Sequence, residues 1–132
     1  MTDQILIVDD QRDIAGMMSD LLSDAGYATR TADNGQEALA AVQADPPDLL
    51  LLDVHMPELD GFEVATILKS DPTTATIPII MVSAEEGRGA RLIGLESGAE
   101  DFLSKPVDPA ELLAKIRNLL LLRQRTKRAA VH

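Results

Sequence analysis

The 132-residue chain predicts an α/β domain built on a parallel sheet. Short apolar runs alternate with helix-period patterns five times along it, the mark of successive βα units. One run, Leu49 to Leu52, is four consecutive leucines without polar alternation, as in a central strand buried on both faces. It stops at a carboxylate, Asp53, and a Pro-containing loop ending in Asp60-Gly61 follows. The carboxyl edge of an open α/β sheet is where ligands bind, so Asp53 is the residue to organise the rest around.

The elements follow in order. Ile5–Val8 is the first strand, ending in Asp9-Asp10. Ile14, Met17, Met18, Leu21 and Leu22 then recur on one face of a helix, and Gly26 sits where a C-terminal cap is expected. Tyr27–Thr31 is a short second strand, and Asn34 caps a helix bearing Ala38, Leu39 and Val42 that ends before Asp45-Pro46-Pro47. After the leucine strand, a helix from about Asp60 carries Phe62, Val64, Ile67 and Leu68, and residues 70–74 are loop. Ile77–Val82 is the fourth strand, with Pro78 near its start. Glu85 to Ser97 reads as a helix weakened by Gly87, Gly89 and Gly94, each costing roughly 1 kcal/mol against alanine. Such a segment is expected to remodel easily. Ala99–Leu103 is the fifth strand, ending in Ser104-Lys105-Pro106, and Asp108 caps a last helix running to about Arg123.

Composition bounds the function. A chain of this length forms one domain, and with 45% hydrophobic but 2% aromatic residues its core is aliphatic. The absence of cysteine excludes disulfides and thiolate metal sites. No segment approaches the roughly 20 apolar residues of a membrane span, and the first apolar run is too short for a signal peptide, so a soluble cytoplasmic protein is the expectation. Residues 1–111 carry all 22 acidic side chains and 6 of the 12 basic ones, a balance of −16, whereas residues 112–132 carry the other 6 basic residues and no acid. An acidic body argues against direct nucleic-acid binding.

Four strand ends carry polar residues: Asp9 and Asp10, Asp53, Ser83 and Lys105. In a right-handed parallel sheet these ends share one edge. Three carboxylates crowded there repel one another, and a hard divalent cation such as Mg2+, which takes one or two carboxylates and completes its shell with water and phosphate oxygens, resolves the conflict. Lysine adds a point charge for phosphate, and serine a hydroxyl donor. The set describes phosphoryl transfer onto a carboxylate nucleophile.

Four stretches then identify a family: Ile-Leu-Ile-Val-Asp-Asp at 5–10, Leu-Leu-Asp-Val-His-Met-Pro-Glu-Leu-Asp-Gly at 51–61, Ile-Pro-Ile-Ile-Met-Val-Ser-Ala at 77–84 and Gly-Ala-Glu-Asp-Phe-Leu-Ser-Lys-Pro at 98–106. In this order and spacing the chain resembles the receiver domain of two-component response regulators over about residues 3–122. The resemblance implies a flavodoxin-like (βα)5 doubly wound sheet of strand order 2-1-3-4-5. It implies Asp53 as phosphoacceptor from the phosphohistidine of a sensor histidine kinase or phosphotransfer protein. Mg2+ would be held by Asp10 directly, by Asp9 through water, by Asp53 and by the His55 backbone carbonyl. Ser83 and Lys105 would bind the phosphoryl group, and Ser83 and Phe102 would move inward together, changing the surface of the fourth helix, fifth strand and fifth helix. His55 and Glu85 match positions that tune the phosphorylated lifetime, and Lys105–Pro106 matches a peptide bond that is cis in the family. A receiver is a switch and not an enzyme, beyond catalysing its own aspartyl phosphorylation and dephosphorylation.

Residues 1–123 are read as the receiver and 124–132 as a basic C-terminal extension or linker. The leucines at 112, 113 and 119–122, with Ile116, exceed what one packed face requires. They favour a helix that continues into a homodimer seam, an output domain or an effector over a solvated helix end whose cations complement the dipole. Three rival readings are weaker. A Mg2+-dependent aspartyl phosphohydrolase needs a second acid where His55 stands, a flavin module needs a Ser/Thr/Gly-rich loop where Asp9-Asp10-Gln11-Arg12-Asp13 stands, and an unphosphorylated docking scaffold has no use for the complete residue set.

Overall fold

A computed structural model describes residues 2–84 and 88–131, the side chains of 88–91 and 127–131 excepted. Five strands alternate with five helices: β1 (Gln4–Val8), α1 (Arg12–Asp24), β2 (Ala28–Ala32), α2 (Gly35–Ala44), β3 (Leu49–Asp53), α3 (Gly61–Ser70), β4 (Ile79–Ser83), α4 (Arg88–Glu96), β5 (Asp101–Ser104) and α5 (Pro109–Val131). All pairings are parallel, and the order is β2-β1-β3-β4-β5, the doubly wound arrangement expected.

The strand alternation sorts the core into two layers. Ile5, Ile7, Leu49, Leu51, Ile80, Val82 and Leu103 face α1 and α5, meeting Met18, Leu22, Leu112 and Ile116. Leu6, Val8, Leu50, Leu52, Ile79, Met81 and Phe102 face the other way, against Ala38 and Val42 of α2 and Val64 and Leu68 of α3. Strand β3 is buried at every position, which is why its leucines are continuous.

The helix ends obey local chemistry. Asn34 accepts from the Glu37 amide at 2.8 Å, Asp60 and Glu63 form a reciprocal capping box, and Asp108 accepts from the Ala110 amide at 3.1 Å. Helix α1 closes with Gly26 at φ +99°, the Gly26 amide donating to Ser23 and the Tyr27 amide to Leu22.

Several boundaries differ from the sequence reading, each for a physical reason. Strand β2 starts at Ala28 because the Tyr27 amide is spent on the helix cap. Strand β4 starts at Ile79: the Ile77 amide donates to Thr74 and the Ile77 carbonyl accepts from Lys69, so that residue belongs to the loop. Strand β5 begins at Asp101 rather than Ala99, β1 gains Gln4, and α4 is described from Arg88. The largest correction is α5, which continues past Arg123 to Val131. No glycine or proline interrupts residues 110–131, and Arg, Gln, Lys and Ala are strong helix formers. Among the described residues no helix is long and apolar enough to cross a membrane.

Candidate functional site

The carboxyl edge of the sheet brings together side chains from three strand ends. Asp53 closes β3 with its side chain almost wholly buried, and Asp9 follows β1 equally buried, while Asp10 beside it is exposed. One carboxylate oxygen from each of Asp9, Asp10 and Asp53 lies within 4.8 Å of the others. The Asp9 carboxylate also accepts from the Gln11 amide at 2.9 Å, tying it to the start of α1.

Lys105 reaches this cluster from beyond β5. Its Nζ stands 3.2 Å from Asp53 Oδ1 and 3.5 Å from Asp9 Oδ2. The Lys105 amide donates to the Ser83 carbonyl at 2.8 Å, so the loop after β5 is stitched to the end of β4. The Lys105–Pro106 peptide is cis, as the resemblance implied. Ser83 is completely buried at the end of β4, and Phe102 is buried in β5.

The loop after Asp53 is held at close quarters. The Val54 amide donates to the Val82 carbonyl and the Gly61 amide to the Val54 carbonyl, which draws the start of α3 beneath Asp53. A Cβ on Gly61 would stand 2.5 Å from the Asp53 carbonyl oxygen, so only glycine permits the approach. Glu58, in the same loop, adopts φ +67°, a left-handed conformation that side chains with a Cβ rarely take. His55 is exposed at the rim of this loop, and Glu85 lies outside the described residues.

The electrostatics follow from burial. Removal from water raises the Asp53 carboxyl above its ordinary range, and the Asp9 charge adds to that, against the opposing pull of Lys105. Burial pulls the Lys105 ammonium down, but the carboxylates of Asp53 and Asp9 outweigh it, leaving its pKa above the ordinary value. One cation thus faces more carboxylate than it neutralises. Three hard oxygen donors at this spacing suit Mg2+, with Asp9, Asp10 and Asp53 as the side chains that would hold it.

Sequence reasoning missed two polar clamps at the opposite edge of the sheet. Lys69 Nζ donates to the carbonyls of Ala75 and Ile77 at 3.0 and 2.7 Å and pairs with Glu100, whose other oxygen accepts from the Ile79 amide. Arg123 Nη1 donates to the Asp48 carbonyl and carboxylate, both at 3.0 Å, while the same carboxylate accepts from the Gln4 amide. No local signal marks either, because each joins residues distant in sequence.

A doubly wound α/β domain with a lysine-bridged carboxylate cluster at its carboxyl edge is the class that fold and site define. A family model described as the response regulator receiver domain matches residues 5–117, and the chain belongs to this family. It is 47% identical over 119 residues to the response regulator PleD of Caulobacter vibrioides, covering 90% of this chain and 26% of that protein. With the response regulator MprA of Mycobacterium bovis it shares 43% over 127 residues, covering 96% of this chain and 53% of that protein. The chain therefore spans between about a quarter and about half the length of these relatives. Among solved structures, the chemotaxis protein CheY4 of Vibrio cholerae superposes with a TM-score of 0.84 at 34% identity, over 90% of this chain and 99% of that one. The receiver fold and its place in two-component signalling are thus established.

Proposed function

We propose that this domain is a phosphorylation-dependent switch in which Asp53 accepts a phosphoryl group from the phosphohistidine of a sensor kinase or phosphotransfer protein. The observation that carries the reading is the Lys105 ammonium 3.2 Å from Asp53 Oδ1, inside a cluster of three carboxylates. An Asp53 carboxylate oxygen attacks phosphorus, the phosphorus–nitrogen bond of the donor breaks, and the departing imidazole takes up a proton. Lys105 Nζ and the Ser83 hydroxyl hold two phosphoryl oxygens, so that charge on the transferring group meets prearranged donors. Bound Mg2+ supplies the positive charge that lets three carboxylates and a phosphoryl group share one site. Asp10, Asp9, Asp53 and the His55 carbonyl are its proposed ligands, and His55 with Glu85 is assigned to setting the rate of hydrolysis. The domain turns over no separate substrate: its chemistry ends on its own aspartate.

The donor's approach is supported by the apolar groove beside the site. Ile14, Met17, Met18 and Leu21 of α1 and Val107, Pro109 and Leu112 enclose about 530 Å³ next to Lys105. Met17 is 72% exposed there, and a flexible thioether surface adapts to apolar side chains of a partner helix. A donor docked in this groove would bring its histidine to Asp53. Ser83 and Phe102 already lie inward in this structure, so phosphorylation is proposed to favour that buried state over one with the ring turned out, altering the α4–β5–α5 surface for an output domain or effector through a population shift limited by the differential free energy of the two states. The continuous α5 is the proposed connection to such a partner or to a second copy, in place of a separate linker at 124–132. Cytoplasmic residence accompanies this role, and direct nucleic-acid binding does not.

Intact-mass spectrometry after incubation with acetyl phosphate tests the reading. A single Mg2+-dependent phosphoryl adduct on the wild type, absent from Asp53→Asn, is the expected result. No adduct under any condition would overturn it and leave a docking scaffold.

A further inference from the structure

Helix α4 carries three large apolar residues on its outer side. Leu92, Ile93 and Leu95 are all exposed, while Gly94 between them is buried. An amphipathic helix ordinarily does the reverse, burying large apolar side chains. The Phe102 ring, 3% exposed, occupies the volume that a side chain at position 94 would need. A Cβ on Gly94 would stand 2.9 Å from Phe102 Cδ2, 3.3 Å from Cε2 and 3.6 Å from Phe62 Cε1. The first of these is well inside the roughly 3.5–4.0 Å optimum for carbon pairs.

Neither of the usual reasons for a glycine applies. Position 94 lies within a helix and is not among the described residues' positive-φ glycines, Gly26 and Gly98. In a helix interior alanine is favoured over glycine. The contrast within the same chain is Gly16 of α1, where an added Cβ would meet nothing within 4 Å. What requires the missing side chain at 94 is the aromatic ring.

We propose that Gly94 is a positioning residue for Phe102: its empty side-chain space is the seat that lets the ring lie buried, and it biases the switch toward the buried-ring state. The seat follows from packing alone, and only its coupling to phosphorylation rests on the reading above. Because Leu92, Ile93 and Leu95 ride on the same helix, the ring's position is linked to the apolar surface a partner would meet. By reciprocity, a change at 94 that disfavours the buried ring must weaken the binding of whatever stabilises it.

The chain has only two phenylalanines, so 4-fluorophenylalanine labelling yields two 19F signals, assigned with Phe62→Leu. Gly94→Ala is expected to shift or split the Phe102 signal and to lower the unfolding midpoint. Gly16→Ala is expected to leave that signal in place and raise the midpoint. Phe102→Leu, which trims the opposing ring, should restore part of the stability lost in Gly94→Ala, a non-additive cycle that independent sites do not give. Binding of beryllium fluoride with Mg2+, a phosphoryl mimic, should weaken at least about fivefold in Gly94→Ala, and by less than that when Phe102→Leu is its background. A Gly94→Ala protein with the wild-type Phe102 signal and a raised midpoint would overturn the seat. A shifted signal with unchanged mimic affinity would overturn the coupling. Failure of the wild type itself to bind the mimic would instead defeat the phosphoacceptor reading and the coupling with it, while the fluorine signal without mimic still decides the seat.

Discussion

Lys105 Nζ and Asp53 Oδ1 meet at 3.2 Å although their strands are not neighbours. Strand β4 lies between β3 and β5, so the lysine reaches across the end of β4, to which its own amide is bonded through the Ser83 carbonyl. The position of the cation that faces Asp53 thus depends on the strand that ends in Ser83. Removing the charge while keeping the stem, Lys105→Met, is expected to reduce phosphoryl uptake from acetyl phosphate by about 100-fold or more, the scale of losing one preorganised electrostatic partner. Time-resolved intact-mass measurement reads it directly.

The raised Asp53 carboxyl fixes the sign of a pH effect. Its ordinary value is 3.8, and in the folded chain burial and Asp9 hold it higher. The folded state therefore binds the proton more tightly than the unfolded one, and this contribution to stability is present at low pH and lost as pH rises through the folded value. At neutral pH the ionised group is a net cost. Asp53→Asn should then melt higher than wild type at pH 7 without metal. The difference should vanish below the ordinary carboxyl range, where both chains are uncharged at this position.

Divalent cation should reverse that order. Mg2+ binding only to the folded acidic cluster stabilises by RT ln(1 + [L]/Kd), about 2.7 kcal/mol at a hundredfold excess over Kd. Wild type should gain melting temperature with millimolar Mg2+, and Asp10→Asn should gain far less. Calorimetry across a Mg2+ series checks both, and an equal gain in the two chains would remove Asp10 from the ligand set.

Lys69 supplies a control at the opposite edge. Its ammonium serves two carbonyls and Glu100, with only 14% of the side chain exposed. Lys69→Met takes the donor from the Ala75 and Ile77 carbonyls and the cation from Glu100, whose other oxygen keeps the Ile79 amide, a loss of about 1–3 kcal/mol. The extent of phosphoryl uptake by the protein that remains folded should be unchanged. Denaturant unfolding and the mass assay separate these outcomes.

Glu58 stores backbone strain beside the site. A non-glycine residue at φ +67° costs of order 1–2 kcal/mol, partly offset in a glycine variant by the greater freedom of the unfolded chain. Glu58→Gly is expected to raise the urea midpoint by a net stabilisation of about 0.5–1 kcal/mol. An unchanged or lower midpoint would show the left-handed turn to be relieved by its surroundings.

Much of this protein was determined by its sequence alone, wherever the physics is local. The leucines of β3 mark a strand buried on both faces, Asn34, Asp60 and Asp108 place helix starts, and Gly26 ends a helix, because caps and periodicity act within a few residues. That Asp9, Asp10, Asp53 and Lys105 would meet was legible because parallel strands deliver their carboxyl ends to one edge. Only the tertiary structure decided what depends on packing between distant segments. The loss of Ile77 to a loop through Lys69, the Arg123–Asp48 tie at the base of β3 and the ring of Phe102 in the space left by Gly94 all belong here. Their partners are chosen by three-dimensional proximity, which hydrophobic period and turn chemistry do not encode.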